Sequence, residues 1–266
     1  MNLEPNLSNL TEVEWNFLKS HTLNLDSAAL AEIFPDFVNY EKRQKTEIPF
    51  LRSQFPTHLH PHLLNACLGS GATTFGLYNS GLTDIISNEI DPEFITIAND
   101  LAKDLQIPLT ITQYDWRDLA HHFTAEFEAV LCLGNSLTYL FKREDQISAI
   151  QNFKSVLKPG GKLFIDERNY AEHFLNGPFT PSGRYVYCGI DKVEAKPIFV
   201  SEHLVVLQDR HLQKGTTAHL LLYPFKDGEM EGLLAKAGFS GIEKFADYQH
   251  PIQVQRPDFF TYVCTK

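Results

Sequence analysis

Residues 63–81 read LLNACLGSGATTFGLYNSG, and this stretch decides the fold. A short apolar run, Leu63–Cys67, leads into two closely spaced glycines and then into a segment of helix length. Gly69 and Gly71 stand where the chain must turn sharply from a strand to a helix and where a ligand can approach the backbone. The stretch therefore predicts the first strand–turn–helix unit of a parallel sheet.

The same alternation continues to about residue 170. Apolar runs of strand length are separated by amphipathic runs of helix length, which is typical of a doubly wound, mostly parallel, Rossmann-like α/β sheet. Pro159-Gly160-Gly161 is expected to stop the last of these helices with a turn. We predict strands at Leu63–Cys67, Asp84–Glu89, Leu109–Gln113, Ala129–Leu133 and Lys162–Asp166, and helices at 72–79, 92–105 and 143–157.

The core comprises residues 61–170, and the segments on either side of it have different sequence patterns. Residues 1–60 are helical and rich in loops, with Thr11 and either Asp26 or Ser27 as helix caps and Pro35 as the end of the second helix. Residues 171–222 contain the alternating runs RYVYCG, HLVVLQ and TAHLLLY, which indicate a small antiparallel β insertion. Residues 223–266 return to the core with a helix at Asp227–Gly238 and two closing strands near 241–247 and 258–264, which makes a seven-stranded sheet.

Composition limits the partners and the compartment. The 266 residues carry a formal net charge of -10, which argues against nucleic acid as a main partner. No apolar run approaches the ~20 residues that a bilayer-spanning helix needs, and the first residues, MNLEPNLSNLTEVEW, lack the pattern of a signal peptide. The four widely spaced cysteines read as reduced thiols, so we expect a cytoplasmic protein. The alternating histidines at 58, 60 and 62 read as solvated loop residues, and no metal is expected.

Polar residues at the ends of the first three strands indicate a nucleoside pocket. Thr74 stands where the dinucleotide fingerprint needs its third glycine, which argues against a pyrophosphate ligand. Glu89 ends the second strand, 20 residues after Gly69, where a carboxylate can accept hydrogen bonds from ribose hydroxyls. Asp115 could accept from an adenine amino group, and Trp116 could cover the ring. Taken singly, each of these features has an ordinary alternative, as a strand–helix turn, a surface acid or a core aromatic. Their order at successive strand ends favours a single nucleoside pocket.

Two segments make the sequence resemble a known family. FEAVLCLGNSLTYL spans residues 127–140, and VLKPGGKLFIDERNY spans residues 156–170. Both resemble the glycine, sarcosine and dimethylglycine N-methyltransferases, and the resemblance extends more weakly over residues 38–265. It implies a class I methyltransferase fold, S-adenosylmethionine as the methyl donor, S-adenosylhomocysteine as the product, and an N-terminal helical lid over the acceptor site.

The resemblance also implies which residues surround the cofactor. Two positions depart from the family: Asn65 replaces the acid of the first strand, and Cys67 replaces a small residue. Since the ribose acid and the adenine contacts are retained, cofactor binding is still expected. The implied contacts are Gly69 and Gly71 in the loop, Glu89 at the ribose, Asp115 and Trp116 at the adenine, the backbone of Leu133, and Arg43 at the carboxylate of the methionine part.

On the acceptor side the resemblance implies Asn135 and Arg168, with Tyr187 and Tyr223 as aromatic lining. A guanidinium offers a planar fork for a carboxylate, so Arg168 is expected to hold the carboxylate of the acceptor; a salt bridge to a neighbouring acid is the structural alternative. Asn135 could orient an acceptor amine or cap a turn.

Three functional hypotheses follow. The first is N-methylation of an amino acid such as glycine, sarcosine or dimethylglycine. The second is O-methylation of a carboxylate on a small acid or a peptide C-terminus, held by the same arginine. The third is a non-catalytic, cofactor-binding scaffold, which the changes at Asn65 and Cys67 favour. The partner is in each active case a small-molecule or peptide acceptor that bears a carboxylate, and a homo-oligomer is compatible with the sequence.

Overall fold

The computed structural model describes residues 7–38, 40–56, 58–175, 192–249 and 256–266. Its centre is a seven-stranded sheet with the order β3-β2-β1-β4-β5-β10-β9. Strands β1 to β5 are parallel, and β10 runs antiparallel between β5 and β9. The strands are β1 Leu63–Asn65, β2 Ile85–Asn88, β3 Thr110–Thr112, β4 Phe127–Cys132, β5 Leu157–Arg168, β9 Gly241–Ala246 and β10 Phe259–Thr265.

Helices cover both faces of this sheet, and this explains why its inner strands read as continuous apolar runs. The helices are α1 Glu12–Ser20, α2 Ser27–Phe37, α3 Tyr40–Lys45, α4 Glu47–Ser53, α5 Ala72–Asn79, α6 Pro92–Leu105, α7 Arg143–Val156 and α8 Glu229–Lys236. On one face, Leu64 and Val130 pack with side chains of α7 and α8. On the other face, Leu63 and Leu131 pack with side chains of α4 and α5. The predicted doubly wound α/β fold is confirmed.

Parallel strands end at the same edge of the sheet, and the strand order reverses between β1 and β4. In open α/β sheets the ligand crevice lies outside the carboxyl ends of the strands at such a reversal. The Gly69 loop follows β1, and Asn135 follows β4. The topology therefore brings the two sequence segments that carry the candidate residues to one crevice.

Several element ends differ from the sequence-based predictions. The helices predicted at 72–79 and 92–105 are confirmed. Strand β5 begins at Leu157, directly after α7, so Pro159-Gly160-Gly161 lies within the strand and not in a turn before it. The pairing of β4 with β5 changes register between Phe127 and Ala129, which accommodates the irregular start of β5.

The prediction that Pro35 ends the second helix was wrong. Helix α2 continues through Pro35 to Phe37. A proline within a helix removes one internal hydrogen bond, the one that its own N–H would donate to the carbonyl four residues earlier. Packing of the flanking rings offsets that loss, because Phe34 contacts Phe37 and meets Phe94 of α6 edge-on at 5.0 Å. The caps were predicted correctly: Thr11 forms a capping box with Glu14 on α1, and Asp26 caps α2.

The insertion forms a separate three-stranded antiparallel sheet, with β6 Val193–Val200, β7 Val205–His211 and β8 Thr217–Leu222. The HLVVLQ and TAHLLLY runs supply β7 and β8, whereas the RYVYCG run lies outside the described residues. The N-terminal helices are bound to this sheet: Ser201 donates to Glu14 at 2.5 Å, and Asp36 lies 3.0 Å from His211. Lys192 and His211 hold the pKa of Asp36 well below its usual range.

None of the helices in the described ranges has the length and apolar character needed to cross a bilayer.

Candidate functional site

The glycine loop after β1 has the backbone geometry that the sequence requires. Gly69 and Gly71 have φ values of +53° and +90°, in the left-handed region that favours glycine. Gly71 immediately precedes α5, and a Cβ at this position would lie 2.2 Å from the ring of Phe75. At Gly71 both the backbone angle and the close ring of Phe75 therefore require glycine, and at Gly69 the backbone angle favours it.

We expect Gly71→Ala to lower the free energy of unfolding by about 2 kcal/mol or more, since it adds strain at positive φ and a clash with Phe75. Gly81→Ala is the matched control. Gly81 has nearly the same φ, +91°, but a Cβ there meets nothing within 4 Å. Chemical denaturation of both variants separates the two effects. Equal losses of stability would show that the contact with Phe75 contributes nothing.

Glu89 links the end of β2 to the glycine loop. Its Oε2 accepts the N–H of Gly69 at 2.9 Å, and its Oε1 accepts the N–H groups of Ile90 and Asp91 at 2.9 and 3.0 Å. Burial raises the pKa of Glu89, and these backbone donors oppose the increase. The carboxylate thus lies at the edge of the loop, where the sequence places it; its contact with ribose stays a prediction.

Asp115 and Trp116 follow β3, and both already have partners within the protein. The Asp115 carboxylate caps the 3₁₀ helix Trp116–His121 and pairs with Arg117 at 2.5 Å, which holds the pKa of Asp115 below its usual range. The indole N–H of Trp116 donates to the carbonyl of Ala66 at 2.6 Å. Trp116 therefore lies beside the end of β1, and its predicted stacking on adenine remains a prediction.

The two departures from the family, Asn65 and Cys67, hold the ends of β1 and β4 together. The Asn65 amide donates to the Thr74 hydroxyl at 2.8 Å and accepts the N–H of Cys67 at 3.3 Å. The Cys67 thiol lies 3.0 Å from both the N–H and the carbonyl of Leu133. Cys67, Cys132 and Cys264 are free thiols, and Cys188 lies outside the described residues.

Arg43 reaches the crevice from α3. Its Nη1 donates to the Thr73 hydroxyl at 3.1 Å and lies 3.6 Å from the Glu47 carboxylate. Its Nη2 would be 3.9 Å from a Cβ built on Gly134. The guanidinium is thus buried between the loops that follow β1 and β4, a position suited to an anionic group in the crevice.

Asn135 is the centre of a hydrogen-bonded cluster after β4. It adopts a φ of +66°, and its Oδ1 accepts the N–H of Arg168 at 2.9 Å. Its Nδ2 donates to the Tyr170 hydroxyl at 2.8 Å. The Asp166 carboxylate accepts the N–H groups of Gly134 and Asn135 at 3.0 and 2.7 Å. These bonds fix the end of β5, and with it Arg168, against the loop after β4.

Arg168 ends β5 with its side chain in an aromatic pocket. It is 8% exposed, and its guanidinium carbon lies 5.8 Å from the ring centre of Phe174 and 5.2 Å from that of Phe259. The neighbouring acid Glu167 accepts a hydrogen bond from Tyr262 at 2.6 Å. A cation held against aromatic faces in a site of low dielectric binds an anion more strongly than it would in water.

The two tyrosines predicted to line the acceptor site differ in whether the structure describes them. Tyr187 lies outside the described residues. Tyr223 lies beside the loop after β4, since its N–H donates to the carbonyl of Thr138. However, its hydroxyl donates to Glu229 at 2.7 Å, and its ring packs against Phe141 and Phe225. The predicted role of Tyr223 at the acceptor stays a prediction.

Sequence reasoning missed Tyr139 and Asp209. Tyr139 ends the 3₁₀ turn Ser136–Tyr139, four residues after Asn135. It is 44% exposed, yet burial raises the pKa of its hydroxyl, with Asp209 and Glu89 adding to the increase and Arg168 opposing it. The signal for Tyr139 was its place in the CLGNSLTYL segment, one turn beyond Asn135.

Comparison with protein families gives one consistent result. A family model described as a methyltransferase domain matches residues 63–161. A glycine/sarcosine N-methyltransferase from Aphanothece halophytica is 30% identical over 246 residues, which cover 92% of this chain and 91% of that protein. A glycine/sarcosine N-methyltransferase from Parasynechococcus marenigrum is 33% identical over 230 residues, which cover 86% and 80% of the two chains.

Comparison with solved structures agrees at the level of the fold. The structure of an S-adenosylmethionine-dependent methyltransferase from Clostridium acetobutylicum superimposes with a TM-score of 0.64. The match covers 86% of this chain and 92% of that one, at 16% sequence identity. At such low sequence identity, the structural likeness supports the arrangement of strands and helices and carries no information about the acceptor.

Proposed function

Because this chain belongs to the family of S-adenosylmethionine-dependent methyltransferases that includes the glycine/sarcosine N-methyltransferases, we propose that it methylates the amino group of a small amino acid such as glycine, sarcosine or dimethylglycine. The observation that carries this proposal is the buried guanidinium of Arg168 at the carboxyl end of β5. Strand β5 ends at the same edge of the sheet as the strand before the glycine loop, and a guanidinium there is suited to the carboxylate that every such acceptor bears.

The residues of the crevice fit S-adenosylmethionine. Glu89 offers a carboxylate at the glycine loop for the two ribose hydroxyls, and Asp115 offers one at the end of β3 for the adenine amino group. Arg43 offers a buried cation for the carboxylate of the methionine part. Asn65, in place of an acid, keeps the base of the pocket neutral and holds the glycine-loop helix through Thr74.

When bound, S-adenosylmethionine would supply a methyl group on a sulfonium: the amine nitrogen would form a bond to the methyl carbon in line as the C–S bond breaks, and S-adenosylhomocysteine would leave as a neutral thioether. This chemistry requires neither a metal nor a covalent enzyme intermediate. The protein therefore acts by positioning the acceptor and by excluding water. In this proposal Arg168 binds the acceptor carboxylate, and Phe174 and Phe259 keep the guanidinium dry. Asn135 acts as a positioning residue, since it fixes the backbone of Arg168 and the hydroxyl of Tyr170.

We also propose that the N-terminal helices act as the lid of this crevice. Phe34 of α2 lies 3.7 Å from the position of a Cβ on Gly69, so the helix covers the outer side of the glycine loop. The hydroxyl of Tyr40, on α3, donates to the Ser70 hydroxyl at 2.9 Å. Both contacts connect the N-terminal segment to the loop that binds the cofactor.

The acceptor is tested with methyl-labelled S-adenosylmethionine and a panel of glycine, sarcosine, dimethylglycine, small carboxylic acids and a short peptide. We expect label in the amino acid products and expect that label to survive mild alkali, because an N-methyl bond is stable and a methyl ester is hydrolysed. Alkali-labile product would replace the proposal with O-methylation. Binding of S-adenosylhomocysteine without turnover on any acceptor would favour a non-catalytic scaffold.

A further inference from the structure

Asp209 is a buried carboxylate in the middle of β7 that no part of the proposed mechanism uses. It is 1% exposed. Its partners across the insertion sheet are Ala195 on β6 and Ala218 on β8, so small side chains flank it on both sides. A carboxylate buried in this way is costly unless a charge partner compensates it.

The same face of β7 points toward Arg168. Alternate residues of a strand share one face, so Asp209 projects on the same side as Val205 and Leu207. Those two side chains pack against Tyr170 and Phe174, as members of one hydrophobic cluster. Tyr170 is bonded to Asn135, and Phe174 lies under the Arg168 guanidinium.

Neither carboxylate oxygen of Asp209 has a hydrogen-bond partner among the residues that the structure describes. Burial raises the pKa of Asp209 to about 7, and the charge of Arg168 opposes the increase. The same carboxylate adds to the increase in the pKa of the Tyr139 hydroxyl. The burial of Asp209, its two carboxylate oxygens without a hydrogen bond to any described residue, and the strand face that it shares with Val205 and Leu207 thus direct it toward the acceptor side of the crevice.

We propose that Asp209 receives the cationic amino group of a zwitterionic acceptor whose carboxylate is held by Arg168. This inference rests on the proposed function and narrows it to acceptors with both charges. A zwitterion between the two side chains would pair the buried carboxylate and the buried guanidinium at once. A simple acid would leave Asp209 unpaired and would place two carboxylates in one dry pocket, so the site selects against it.

The position also suits the step that precedes methyl transfer. An amino acid enters as an ammonium ion and must lose one proton before its nitrogen can act as a nucleophile. When the carboxylate of Asp209 accepts that proton, an N–H bond breaks, an O–H bond forms, and the lone pair stays on the nitrogen. The net charge of the pocket does not change in this transfer.

The test is Asp209→Asn, measured by titration of glycine and of acetate into protein saturated with S-adenosylhomocysteine. Acetate has the carboxylate of glycine without its amine. We expect glycine to bind about tenfold more weakly or worse, because a buried charge pair is lost. We expect acetate to bind as tightly as in the unsubstituted protein or more tightly, because a repulsive charge is removed. Opposite changes in the affinities for glycine and acetate would identify the loss of a specific charge interaction, since general damage to the pocket would weaken the binding of both ligands.

Glu194→Gln is the matched control. It makes the same change of charge on β6 of the insertion sheet, but the Glu194 side chain is 43% exposed and pairs with Lys196. Its ratio of glycine to acetate affinity should stay unchanged. An unchanged ratio in Asp209→Asn would overturn the role of Asp209 alone, provided the unsubstituted protein methylates an amino acid. If the unsubstituted protein neither binds nor methylates any amino acid of the panel, the proposed function itself fails, and the inference fails with it.

Discussion

Replacement of Arg168 by alanine should lower kcat/KM for the acceptor by about 100-fold or more, while the Kd for S-adenosylhomocysteine changes by about twofold or less. Removing one member of a buried, hydrogen-bonded charge pair costs about 2–5 kcal/mol in binding, which corresponds to a loss of this size. The cofactor contacts that we assign to Arg43 and Glu89 lie on other elements, α3 and the end of β2, and are not altered. Steady-state kinetics and calorimetry measure the two quantities separately.

Two variants control for this result. Arg168→Lys keeps the positive charge but loses the planar fork, so it should retain only part of the activity. Arg210→Ala removes an exposed arginine from β7 and should leave both constants unchanged. If Arg168→Ala is folded by its thermal transition and keeps normal acceptor kinetics, the carboxylate of the acceptor is bound elsewhere and the proposed function loses its main support.

Replacement of Glu89 by alanine should have the opposite pattern, with the Kd for S-adenosylhomocysteine raised about 100-fold or more. Hydrogen bonds to a charged group contribute about 1.5–3 kcal/mol each, and the ribose offers two hydroxyls. The structure adds a second cause, because the same carboxylate holds the N–H of Gly69 and the backbone after β2. The glycine loop is therefore expected to lose order together with the ribose contact.

Glu89→Gln tests these causes separately. A glutamine can still accept the N–H of Gly69 through one oxygen but offers no charge to the ribose, so an intermediate Kd is expected. Glu93→Ala, an exposed acid in the first turn of α6, is the matched control and should bind the ligand normally. Normal cofactor binding by Glu89→Ala would place the ribose away from the end of β2.

The sequence predicted the fold well because the relevant signals are local. Apolar runs of strand length, amphipathic runs of helix length and paired glycines at a strand end are readable without knowledge of distant contacts. Helices α5 and α6 therefore have the predicted bounds, and the caps at Thr11 and Asp26 are those that were expected. The predicted ends of helices and strands were less accurate where packing decides them, as at Pro35 and at the start of β5.

Some residues of the candidate site could likewise be predicted from local sequence signals. Gly69, Gly71 and Glu89 could be found from the sequence because a ligand crevice follows the strand ends of a parallel sheet, and strand ends are visible in the sequence. The resemblance to a family added Arg43, Asn135 and Arg168, and the structure places them at the same edge. The sequence alone thus determined the fold class, the position of the crevice and the class of reaction.

Only the tertiary structure decided which charges face each other across that crevice. Asp209 lies 41 residues after Arg168 in the sequence, on a strand of a separate sheet, and its spacing gives no hint of a shared pocket. Asp209 lies on this side of the core because β7 presents one face to Tyr170 and Phe174, and this depends on how the insertion packs on the core. Packing of one sheet against another is a sum of many weak, non-local contacts, and no short stretch of sequence encodes it.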